Sequence, residues 1–105
     1  MLTEALLEVA YRTRLQNRGV PTNTREALIR YLLYGIPPGH FLEAVLANDL
    51  TEAARRCDPE NEPHLVNYVR FLYAHAPALA WGTPARVWTW MDAHAQIRAE
   101  AGERQ

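Results

Sequence analysis

Residues 27–46 constrain this 105-residue chain more than any other stretch: two apolar runs, Ala27-Leu-Ile-Arg-Tyr-Leu-Leu-Tyr34 and His40-Phe-Leu-Glu-Ala-Val-Leu46, are joined by the elbow Gly35-Ile-Pro-Pro-Gly39. On a helix of 3.6 residues per turn, the first run leaves only Glu26 and Arg30 as a narrow polar strip. A helix apolar nearly all round is a buried helix, so residues 24–34 form the expected centre of the fold. The elbow cannot continue it, because Pro37 lacks an N–H and holds Ile36 extended.

The remaining elements follow from punctuation. A first helix is expected from about Thr3 to Arg18, stopped by Gly19 with Pro21 beyond. It carries two apolar ridges, one of Leu2, Ala5, Leu6, Val9 and Ala10 and the other of Leu7, Tyr11 and Leu15. Asn23 and Glu26 have the spacing of a capping box for the central helix, as Asp49 and Glu52 do for a short fourth helix after a left-handed Asn48. Asp58-Pro59 and Glu62-Pro63 are successive helix-start signals. The fifth helix then has an expected core face of Leu65, Val69, Leu72 and Ala76, supported by Val66 and Tyr73, and stops at Pro77. Thr83-Pro84 opens a sixth helix running to about Ala101. No segment alternates like a strand. The expected fold is therefore all-α, one compact domain over residues 1–105 with about six helices, four longer and two short, and a frayed tail from about 102 to 105.

Composition narrows the function classes. Eleven basic against twelve acidic residues provide no overall attraction to nucleic acid or an anionic membrane. Residues 1–30 hold five Arg against three Glu, and residues 31–63 hold two Arg against six acids, so the middle is acidic. All the basic residues are Arg, a bias that fits a G- and C-rich genome better than selection at every site. One cysteine, no secretory signal and no unbroken apolar span point to a cytoplasmic chain without an internal disulfide or a membrane helix.

Candidate chemistry is sparse. His40, His64, His75 and His94 do not share the short ligand spacings of a zinc site, and Cys57 sits at a helix end where the dipole works against its thiolate. Gly35 and Gly39 bracket prolines that remove the amide donors a phosphate loop needs. The chain is read as non-enzymatic, with no cofactor or metal. A helix-turn-helix reading fails because the would-be recognition helix begins His40-Phe-Leu-Glu43, with no Arg, Lys, Asn or Gln to read base edges. Arg12, Arg14, Arg18 and Arg25 form an alternative, phosphate-contacting nucleic-acid stripe, disfavoured by Glu4 and Glu8 on the same helix.

The sixth helix is the most informative. Val87, Trp88, Met91 and Ala95 make one face, with Trp90, Ala93 and Ile97 on nearly the opposite side. Either the Leu7, Tyr11, Leu15 ridge covers Trp90, or Trp90 and Ile97 sit in an exposed apolar patch of the kind that marks a protein interface.

Residues 35–50 (GIPPGHFLEAVLANDL), with Cys57-Asp58, Asn61, Tyr68-Val-Arg-Phe-Leu-Tyr73 and Trp81-Gly-Thr-Pro84, resemble a group of small uncharacterised helical proteins encoded by bacteriophages and prophages, over about residues 24–92. The resemblance implies a phage accessory protein, binding a host or phage protein, and no catalytic residues. The combined expectation is a module that binds another protein or self-associates in the host cytoplasm, using Trp90, Ala93 and Ile97, and also Tyr11 and Leu15. A further alternative is an inhibitor of a host defence or replication enzyme, its acidic middle segment imitating nucleic acid.

Overall fold

The computed structural model describes residues 3–103, and these contain six α-helices, two 3-10 turns and no strand. The helices are α1 (Glu4–Asn17), α2 (Thr22–Tyr34), α3 (His40–Leu46), α4 (Leu50–Arg56), α5 (Leu65–His75) and α6 (Pro84–Glu103), with 3-10 turns at Glu62–His64 and Ala78–Ala80. Four are long and two short, as expected.

The central element is α2. Leu28, Ile29, Tyr31 and Leu32 are all buried, within a core shared with Leu15, Leu42, Leu46, Tyr68, Phe71 and Leu72. Its start differs from expectation. The helix begins at Thr22 with Pro21, which has no side-chain acceptor, at the cap position, so Asn23 lies inside the first turn and the expected box is not formed; Glu26 pairs with Arg12 of α1. Its end follows the sequence: Gly35 adopts φ 65° and closes the helix with an N–H bond to the Tyr31 carbonyl at 2.8 Å.

The first helix packs on α2 with one ridge. Tyr11 and Leu15 belong to the core, and Tyr11 meets Phe71 of α5 edge-on at 5.8 Å. Leu6 and Val9 face outward, whereas Leu2 of the same ridge lies outside the described residues. In α3 and α4 the punctuation works as written. Gly39 precedes His40, Asn48 takes φ 63°, and the Asp49 carboxylate accepts from the Glu52 amide at 3.2 Å.

Two expectations are displaced. Asp58-Pro59 opens a turn, not a helix: the Asp58 carboxylate accepts from both the backbone and side-chain amides of Asn61 at 2.8 and 3.0 Å. Buried Asn61 in turn accepts from the Thr24 hydroxyl at 3.0 Å and from the Tyr68 hydroxyl. That network rotates α5, so its core face is Tyr68, Phe71 and Leu72, with Val66, Val69 and Tyr73 exposed. Counting aliphatic residues misses the phase because the two aromatic rings bury more area and Asn61 satisfies the one polar atom Tyr68 carries inward. Burial pushes the Tyr68 phenol up to about 12.

At the far end, Thr83 caps α6 through the Arg86 amide at 3.1 Å with Pro84 at the first helical position. The helix continues through Gly102 to Glu103, past the expected end at Ala101, and Arg104 and Gln105 of the expected frayed tail lie outside the described residues. No described helix is long and apolar enough to cross a membrane.

Candidate functional site: the exposed edge of the last helix

The seam between α2 and α6 is built on the carbonyls of the last turn of α2, which have acceptor capacity to spare at a helix end. Tyr31 is its keystone. Its hydroxyl donates to the Ala80 carbonyl at 2.6 Å, and its own carbonyl accepts from the Trp90 indole N–H at 3.0 Å. Desolvation raises the Tyr31 phenol well above its ordinary value, so it stays a donor. One turn on, the Arg98 guanidinium donates to the Tyr34 carbonyl. Gly35 completes the seam by lacking a side chain: a Cβ there would overlap the His94 side chain and lie 3.2 Å from the Trp90 carbonyl. The His94 ring bonds that carbonyl at 2.9 Å and lies tilted against the Trp90 indole at 4.7 Å between ring centres.

These contacts define the inward stripe of α6 as Val87, Trp90, Met91, His94 and Arg98, the i, i+3, i+4, i+7 pattern of one helix face. The two opposite faces expected for the tryptophans are thereby told apart. Trp88, grouped with Val87, Met91 and Ala95, is 64% exposed, and Trp90, grouped with Ala93 and Ile97, is half-buried against α2. Hydropathy hides this phase because two of the five inward residues, His94 and Arg98, are polar and are bound for the hydrogen bonds they make.

Trp90 is covered by α2, not by α1. One edge of its ring nevertheless remains on the surface, where with Leu79, Ala85, Thr89, Ala93 and His94 it lines an open groove of about 450 Å³. Leu79, 71% exposed, forms the opposite wall, and Ile97, 60% exposed, continues the Trp90–Ala93 edge one turn further. Arg86 closes the groove's other end, its Nη1 donating to the Ala78 and Trp81 carbonyls at 3.3 and 3.4 Å. From Ala95 to Gly102 every residue of α6 is exposed, and the Arg98 bond to the Tyr34 carbonyl is what ties this half of the helix to α2.

The structure thus brings Trp90, Ala93 and Ile97 together on one edge and removes Tyr11 and Leu15 from it: the latter two are 7% and 0% exposed and hold α1 to the core. Sequence reading missed Leu79, an isolated leucine in a Pro-Ala-rich connection with no periodicity to mark it.

The four arginines of the nucleic-acid alternative do not form a free stripe. Arg12 makes a bidentate pair with Glu26 at 3.0 and 2.7 Å, and that guanidinium holds the Glu26 carboxyl below its ordinary value. Arg25 is bonded to the Val20 carbonyl and the Thr22 hydroxyl, its side chain largely covered. Arg14 lies 3.3 Å from the His75 ring; burial, and then Arg14 and Arg18, push that imidazole below its usual value. Of the four, only Arg14 and Arg18 remain without a carboxylate partner among the described residues. Also among them, no group of three or more His, Cys, Asp or Glu is placed to hold a metal ion.

Comparison with protein-family models, with curated proteins and with solved structures gives no match.

Proposed function

We propose that this chain is a non-enzymatic helical module that acts by binding a protein along the exposed edge of α6. One observation carries the reading: an open apolar groove runs beside a helix whose other face is already secured, so Ala93, Ile97 and Leu79 have no task inside the monomer. Exposed apolar residues clustered in a concave strip are the usual mark of a docking surface. The resemblance of residues 24–92 to small phage-encoded proteins supports a host or phage protein, or a second copy of this chain, as the partner, in the host cytoplasm.

The test uses Leu79→Asp and Ile97→Asp. Both side chains are exposed, so circular dichroism and thermal melting should be unchanged. Burying one such side chain is worth roughly 1.5–3 kcal/mol, so association should weaken by about tenfold or more for each substitution. Equal association by wild type and both variants, read by sedimentation and by quantitative capture, rules out this face.

A further inference from the structure

The exposed edge of α6 is complementary to itself, and we infer that its occupant is a second copy of this chain, docked antiparallel through a two-fold axis at Ala93. This inference rests on the protein-binding reading above and names the partner. On the face centred at Ala93, the helix carries Arg86 seven residues before it and Glu100 seven residues after it. Seven residues are close to two full turns, so both charges lie on the Ala93 face at equal distances from it. An antiparallel copy whose axis passes through Ala93 sets each residue i against residue 186 − i of the other. Arg86 then meets Glu100 of the second copy, and Glu100 meets its Arg86, two pairs of opposite charge closing the ends of the seam.

The apolar contacts agree with the charges. Ala93 meets Ala93, the one place where two backbones must approach most closely and a large side chain would hold them apart. Ile97, four residues beyond the axis, falls opposite Thr89, at the groove walled by Leu79 and Ala85. Each copy therefore offers an exposed half-helix to the other's groove: residues 95–102 are exposed in the monomer, and the groove lies beside the first half of the same helix. A parallel arrangement would set Arg86 beside Arg86 and leave both grooves open. The interface is isologous and closes at two copies, not at a filament.

Arg86 holds the 3-10 turn through Nη1 alone, so its other nitrogens remain to meet a carboxylate. Glu100 makes no ion pair among the described residues.

The closing experiment places one cysteine at the axis. In a Cys57→Ser background, Ala93→Cys should give a disulfide-linked dimer under mild oxidation, because a residue on a two-fold axis faces its own copy. Ala95→Cys, on the far side of α6, should not. In the unmodified chain, sedimentation equilibrium should give a concentration-dependent mass rising to twice 12.0 kDa. Glu100→Arg alone should weaken that dimer about tenfold, two exposed pairs changing sign together, and adding Arg86→Glu should restore it to within about threefold. A chain that stays monomeric at millimolar concentration, with the Ala93→Cys variant unlinked, overturns the second copy as occupant. The docking reading itself then stands or falls separately on whether Leu79→Asp and Ile97→Asp weaken capture of a different protein. A dimer indifferent to positions 93 and 100 also overturns the inference, placing the contact on another face.

Discussion

Two helices of this chain, α2 and α6, are held by different physics. The 13-residue α2 is sealed, with Leu28, Ile29 and Tyr31 at or near zero exposure, and burial of apolar area holds it. The 20-residue α6 is longer, yet among its described side chains Val87 alone is buried. What attaches it is a set of donors reaching the carbonyls at the end of α2, together with a glycine that lets the backbones approach. A helix attached by hydrogen bonds along one narrow stripe keeps its remaining faces for other contacts, which a helix secured by burial cannot do.

The contrast can be broken from either side. The largest effect is expected inside α2: Leu28→Ala should cost about 4 kcal/mol through lost contact and the cavity left behind, measured by urea denaturation. Next comes the seam. Gly35→Ala must hold a left-handed φ and also displace His94, which should cost about 2–3 kcal/mol and red-shift the Trp90 fluorescence as α6 loosens and the indole meets more water. If Gly35→Ala is as stable as wild type, the close approach of α2 and α6 is wrong. Trp90→Phe keeps most of the ring and removes the N–H to the Tyr31 carbonyl; because that carbonyl still accepts from Gly35, the loss should be about 1 kcal/mol. Smallest of all is Ile97→Ala. It should change stability by less than about 0.5 kcal/mol while still lowering association, and a larger destabilisation would mean that the outer half of α6 is covered within the monomer.

A fifth measurement lies at the α1–α5 contact. His75 has its folded-state value lowered by burial, Arg14 and Arg18, so between its ordinary value near 6.5 and that lower one the unfolded chain binds the extra proton. Stability should therefore be complete above about pH 6.5 and decline as the pH falls through that window, a decline that His75→Gln should remove.

Residues with one local reason for their type were legible in advance. Gly35, Asn48, Asp49 and Thr83 end or begin helices where expected, since a left-handed residue or a capping oxygen answers to its immediate neighbours. The near-complete apolar circumference of α2 likewise marks the core without help from the rest of the chain. Reading failed where a polar residue is bound inward by a distant partner. Asn61 turns α5 through Tyr68, Glu26 pairs with Arg12 of α1, and His94 and Arg98 set the rotation of α6.

The same division separates fold from site. Sequence alone determined that the chain is all-α, that Gly35, Asn48, Asp49 and Thr83 mark helix ends and starts, and that Ala93 and Ile97 share an edge with Trp90, because helical period and backbone stereochemistry are local. Only the tertiary structure decided that Tyr11 and Leu15 face the core, that Trp90 turns its indole to α2 while Trp88 faces out, and that Leu79 completes a groove. Those outcomes depend on which carbonyls and cavities lie across the interior, and hydrogen-bond partners distant along the chain leave no periodic trace in it.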